Sequence, residues 1–165
     1  MLLIFGGLPG TGKSTLAKEI AHRLQAVYLR VDTAEQALKQ SPHFSDSVGP
    51  EGYLVCYAIA ADNLALGLHV VADSVNPLAI TRESWQKVAL SANTPFVEIE
   101  LICSDTRTHQ HRVETRKADI PGHQLPAWKE VINRDYQQWS APSLKLDTSR
   151  HSVEECIEMI MNLIH

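Results

Sequence analysis

Residues Gly7-Leu8-Pro9-Gly10-Thr11-Gly12-Lys13-Ser14 carry the full spacing G-x-x-x-x-G-K-S/T, and Thr15 follows directly. Residue types in that order can grip phosphate. The glycines let backbone N–H groups curl around phosphate oxygens with no Cβ in the way. Lys13 can reach the β- and γ-phosphates, and the Ser14 hydroxyl can ligate Mg²⁺. Residues 7 to 15 are therefore the candidate triphosphate-binding set. Lys13 is also a candidate catalytic cation and Ser14 a candidate metal ligand.

Two carboxylates stand at strand ends where an open α/β sheet presents its ligands. Asp32 follows the apolar run Val27-Tyr28-Leu29-Arg30-Val31 and could take the proton of an attacking hydroxyl. It could instead cap the next helix, since Thr33-x-x-Gln36 reads as a capping box. Asp73 ends Val70-Val71-Ala72, the hydrophobic-strand-then-Asp pattern of a Walker B carboxylate that supports Mg²⁺. Its alternative is a turn residue before Ser74-Val75-Asn76. Asn76, preceding Pro77, is expected to be a helix N-cap. Further on, Arg112 and Arg116 lie four apart, which puts both guanidinium groups on one helix face if the helix runs through them. Such a pair could clamp a phosphate group from a short lid over about 105–124. His109 and His111 read as surface residues. Trp85, Trp128 and Trp139 read as packing residues. Asp147-Thr148-Ser149 either borders the nucleotide base or forms a turn.

The elements needed to hold these residues alternate along the chain. Met1–Phe5 is apolar enough for a buried parallel strand. Leu16, Ala17, Ile20, Ala21 and Leu24 share one face of a helix behind the glycines. Further strands are expected at 27–31, 69–72, 96–102 and 143–146, with helices near 33–40, 51–67, 78–92, 105–117, 126–139 and 153–164. Ser152 with Glu155 forms a capping box ahead of the last helix. The polar stretch Ser41–Gly49 reads as a loop, and Asp119–His123 as a second break. Strands each followed by a helix give a three-layer α/β/α sandwich. At 165 residues, 44% hydrophobic, the chain is expected to be one domain over 1–165.

A formal charge of −4 argues against a dedicated nucleic-acid partner. Cys56, Cys103 and Cys156 are odd in number and lack metal-ligand spacing, so they read as reduced buried thiols in the cytoplasm. Neither a signal peptide nor a membrane span is expected.

With these residues placed, the chain resembles the small P-loop kinases that group with polynucleotide kinase, chloramphenicol phosphotransferase, gluconate kinase and zeta toxins. The likeness rests on residues 7–15, Arg30-Val31-Asp32, Val71–Asn76, Arg82 with Trp85, Arg112 with Arg116, and Leu146–Ser149. It implies a P-loop NTPase fold with a parallel five-stranded sheet in 2-3-1-4-5 order. It also implies ATP, Mg²⁺ and phosphoryl transfer to a hydroxyl. By position Asp32 matches the group's general base, and Arg112 and Arg116 its lid arginines. Polynucleotide kinases carry an arginine shortly after that aspartate to hold the acceptor, whereas residues 33–38 here read Thr-Ala-Glu-Gln-Ala-Leu. The expected activity is thus ATP-dependent phosphorylation of a small hydroxylated acceptor by a monomer or homodimer. The alternatives are a nucleic-acid 5′-end kinase and a nucleotide-binding regulatory switch.

Overall fold

Five strands form one fully parallel sheet in the order β2-β3-β1-β4-β5. The structure is a computed structural model that describes residues 1–44 and 48–164. In chain order the strands are β1 Leu2–Gly6, β2 Val27–Arg30, β3 Val70–Asp73, β4 Phe96–Ile102 and β5 Leu144–Asp147. The helices are α1 Lys13–Leu24, α2 Val31–Lys39, α3 Glu51–Ala65, α4 Ala79–Ser91, α5 Thr106–Thr115, α6 Trp128–Ile132 and α7 Val153–Ile164. Central β1 pairs on both sides, Leu3 beside Val71 and Val97. Successive side chains of a strand point to opposite faces, and both faces of β1 are covered. Leu3 and Phe5 pack with Leu16, Ile20, Ile157 and Ile160 from α1 and α7. Leu2 and Ile4 pack with Cys56, Ala60, Trp85 and Ala89 from α3 and α4. A strand buried on both sides must be a continuous apolar run, which is why Leu2–Phe5 is one. The three-layer fold and its strand order are those the sequence led us to expect.

The parallel arrangement brings the C-terminal ends of β1, β2 and β3 together, and that edge carries the motifs. Several boundaries differ from expectation there. β2 ends at Arg30 and α2 starts at once with Val31, so Asp32 lies in the first helical turn. Thr33 with Gln36 is therefore no capping box. Asn76 is no N-cap either, because α4 begins at Ala79 with Leu78 before it. Asn76 is fully buried at φ 49°, and its Nδ2 donates to the Phe5 carbonyl at 2.8 Å. Asn tolerates the left-handed turn, and its amide ties that turn to the end of β1.

α5 stops at Thr115, and Arg116 is extended (ψ 148°), so the two arginines do not share a helix face. The helix expected over 126–139 is only α6. Beyond it, Gln137 spends its backbone N–H on Pro77 and its side-chain oxygen on the Ala79 N–H. Trp139 then closes over Gly6, where an added Cβ would fall 2.1 Å from its ring. The Ser152–Glu155 box forms as expected, and all three cysteines are free and buried. Residues 45–47 of the expected loop lie outside the described residues. Among the described residues no helix is long and apolar enough to cross a membrane.

Candidate active site

The turn from β1 to α1 is shaped by left-handed glycines. Gly7 (φ 137°) approaches the Leu101 carbonyl so closely that a Cβ would sit 2.2 Å from its oxygen, and Gly10 (φ 86°) abuts Val113 in the same way at 2.6 Å. Around them the loop curls on the Leu8 carbonyl. That oxygen accepts from Thr11 N (3.3 Å), Thr11 Oγ1 (2.9 Å) and Lys13 Nζ (3.0 Å). Lys13 is only 8% exposed. Burial brings its ammonium down to about 8, against the opposing pull of Asp73 and Asp32. Burial is the larger of these effects, and an anion arriving beside a desolvated ammonium stabilises it.

Distant residues hold this loop from outside. His109, expected at the surface, is buried instead, its Nε2 2.8 Å from the Pro9 carbonyl and its ring edge-on to Trp128. Thr148 Oγ1 donates to the Thr11 carbonyl at 3.0 Å. Arg112 in turn donates to Thr148 Oγ1 at 2.8 Å and to its carbonyl at 3.0 Å. Asp147 and Ser149 bind each other and Ser104, so within that tripeptide Thr148 is the one bonded to the loop.

Asp73 and Asp32 reach the same cleft from adjacent strand ends. Asp73 is 2% exposed, and its Oδ2 accepts from the Tyr28 hydroxyl at 2.6 Å. Its Oδ1 makes no hydrogen bond among the described residues. Burial and the Asp73 charge hold the Tyr28 phenol far above its ordinary range. The Asp32 carboxylate makes no hydrogen bond among the described residues, and Arg30 Nε stands 3.8 Å from it and from Asp73. Arg30 also grips Asp119 through Nη1 at 2.8 and 2.9 Å. Lys18 reaches the same carboxylate at 2.7 Å, and these two cations hold its pKa well below the usual range. The segment after α5 is thereby tethered across the cleft mouth. Arg116 lines the cleft half-buried, and its Nε has no partner among the described residues. Burial lowers its pKa and the nearby Asp32 raises it.

The cleft measures about 980 Å³, at the upper end of single-ligand pockets. It joins Lys13, Ser14, Thr15, Asp32, Asp73 and Arg116 in one space, and Arg112 lines its loop side. The tether of Arg30 to Asp119 and the seat of His109 escaped sequence reading. Their partners are 89 and 100 residues away, and no local pattern marks them.

Residues 2–134 match the family described as an AAA domain. The chain belongs to that family. An adenylyl-sulfate kinase of Prochlorococcus marinus is 27% identical over 172 residues, spanning 98% of this chain and 82% of that protein. Among solved structures, an APS kinase of Mycobacterium tuberculosis in complex with AMPPNP and APS superposes with a TM-score of 0.73 at 23% identity, covering 99% of this chain and 96% of that one. A gluconokinase of Sinorhizobium meliloti superposes with a TM-score of 0.67 at 15% identity, covering 98% of this chain and 90% of that one. The resemblance to small P-loop kinases drawn from the sequence is borne out, and this AAA-family chain has their fold.

Proposed function

We propose that this chain is an ATP-dependent kinase that moves the γ-phosphoryl group to a hydroxyl of a small-molecule acceptor. The observation that carries it is Asp32. Its partly buried carboxylate has no hydrogen bond among the described residues, with Arg30 3.8 Å away, and opens into the same cleft as Lys13 and Arg116. A regulatory switch has no use for such a group. Residues 7–15 cradle the triphosphate, and Lys13 leaves the Leu8 carbonyl for the β- and γ-oxygens as they arrive.

Ser14 and Asp73 are suited to Mg²⁺. The ion keeps most of its waters and needs only one or two protein oxygens beside the phosphates. The Oδ1 left by Tyr28 and the Ser14 hydroxyl are hard oxygen donors of the required kind. The bound ion would neutralise charge on the β- and γ-phosphates. Asp32 orients the acceptor hydroxyl and takes its proton as the new O–P bond forms and the bond to ADP breaks. Arg116 meets the charge of the moving group.

Product analysis with γ-labelled ATP over sugars, nucleosides and antibiotics tests the assignment. Label in an organic phosphate, lost in Asp32→Asn, is expected. Label in inorganic phosphate alone, across the whole panel, overturns it in favour of a regulatory ATPase.

A further inference from the structure

Beyond the phosphate loop the cleft continues between α2, α3 and the turn after β3, and its lining there has a different chemistry. Asp32 and Glu35 are one turn apart on α2, and both line it. Glu35 is half-buried. Burial and the neighbouring Asp32 push its carboxyl above the ordinary range, with Lys39 and Arg134 acting in the opposite sense. Its seat is built. Gly52, in the first turn of α3, has ordinary helical backbone, yet a Cβ there would fall 2.3 Å from Glu35 Cγ. The missing side chain lets Glu35 lie flat against α3 with its carboxylate in the cleft.

Two hydroxyls complete the wall. Ser74 is 4% exposed and lines the cleft, and its Oγ has no hydrogen-bond partner among the described residues. It lies beside the Tyr53 hydroxyl, so the two hydroxyls form one polar patch with hydrogen-bonding capacity to spare. Tyr53 accepts from the Asn76 backbone N–H at 3.2 Å, which leaves its own O–H proton to donate. Cations flank the two carboxylates: Arg30 stands 3.8 Å from Asp32, and Arg134 with the exposed Lys39 acts on Glu35, while Arg116 and Arg134 also act on Lys13 on the phosphate side.

We propose that Asp32, Glu35, Tyr53 and Ser74 form an acceptor subsite for an uncharged polyol presenting neighbouring hydroxyls, and that Glu35 selects it against anionic acceptors. The subsite deepens the kinase assignment and rests on it. Ionised carboxylates only accept, while Ser74 and Tyr53 can donate. A hydroxyl is the ligand group that both donates and accepts, so adjacent hydroxyls satisfy both kinds of partner at once. A phosphate, sulfate or carboxylate at the same place meets Glu35 charge against charge in a partly desolvated site. The acceptor class thus differs from the sulfated nucleotide named for the curated relatives.

The test pairs pentitols, hexitols and ribonucleosides with their carboxylate, phosphate or sulfate counterparts, glucitol with gluconate and adenosine with adenosine 5′-phosphosulfate among them. Transfer from γ-labelled ATP is followed for each member. The wild-type protein is expected to use the neutral member of a pair at least tenfold better in kcat/KM. Glu35→Gln, which keeps the volume, should raise the KM of that acceptor about tenfold to a hundredfold, the worth of a hydrogen bond to a charged group. Glu35→Arg should invert the preference within a pair. Gly52→Ala, which displaces Glu35 and replaces no residue lining the cleft, should reproduce the KM rise. Preference for the anionic members, or selectivity unmoved in all three variants, overturns the polyol assignment and leaves the kinase intact. ATP hydrolysis with no transfer to any acceptor overturns both.

Discussion

Replacing Arg112 and Arg116 separately by alanine divides two roles that their spacing in the chain suggests are one. Arg116 is half-buried with an unpartnered Nε, and burial lowers its pKa. A cation kept in that state is costly until an anion arrives. In phosphoryl transfer an arginine of this kind is worth ~10³-fold or more in rate, about 4 kcal/mol of barrier. Arg116→Ala should therefore lower kcat about a thousandfold, leave the KM for ATP within a few-fold, and leave Tm unchanged or slightly raised. Arg112 is committed to Thr148 by two bonds of 2.8 and 3.0 Å, and Thr148 carries the Thr11 carbonyl. Losing charged bonds to neutral acceptors costs about 2–3 kcal/mol in all, a Tm lower by roughly 4 to 12 °C for a chain of this size. Arg112→Ala should show that drop, together with weaker ATP binding. Single-turnover transfer beside thermal melts reads both quantities. An Arg116→Ala protein with kcat within threefold of wild type, or an Arg112→Ala protein with normal Tm and a thousandfold loss in kcat, would refute the division.

The Lys13 ammonium titrates near 8 in the folded chain against an ordinary 10.5. ATP affinity should consequently weaken as pH rises through about 8, while stability of the ATP-free protein climbs between those two values because the unfolded lysine still holds its proton. Isothermal titration and melts across that range check both signs, and Lys13→Ala should abolish turnover and flatten both profiles. Asp32→Asn should bind a fluorescent ATP analogue normally and lose about 10²–10⁴ in transfer; undiminished transfer would mean the carboxylate is no base. Asp119→Ala frees Arg30 and Lys18. Because Asp119 is half-exposed the cost in stability should be about 1 kcal/mol or less, but hydrogen exchange over residues 116–127 should quicken, and unchanged exchange there would show the tether is not what orders the segment.

How far the sequence could be read depended on how local each cause was. Leu2–Phe5, the glycines and the stripe Leu16–Ile20 each announce themselves within a few residues, so the nucleotide edge of the sheet was legible. The strand order needed the family resemblance, since no residue in β2 states that it lies two places from β1. Misreadings came where tertiary partners outweighed local preference. Asn76 before Pro77 looks like a cap, yet its amide is taken by Phe5 across the sheet. A histidine in the polar run 105–117 looks exposed until the Pro9 carbonyl is known to lie above it. Helical spacing joined Arg112 to Arg116, but the helix ends between them.

The link from Thr148 to Thr11 spans 137 residues, which bears on how the protein comes into being. Residues leave the ribosome in order, so the glycine loop is made 137 residues before this outer support. Long-range pairings of this kind fold late, and domains generally fold as units once their chain is available. β5, α7 and Thr148 all lie past residue 134, beyond the stretch by which the family is recognised. A nascent chain that already displays the whole phosphate motif thus lacks one of the residues that hold it, and full support of the loop waits until Thr148 has been made.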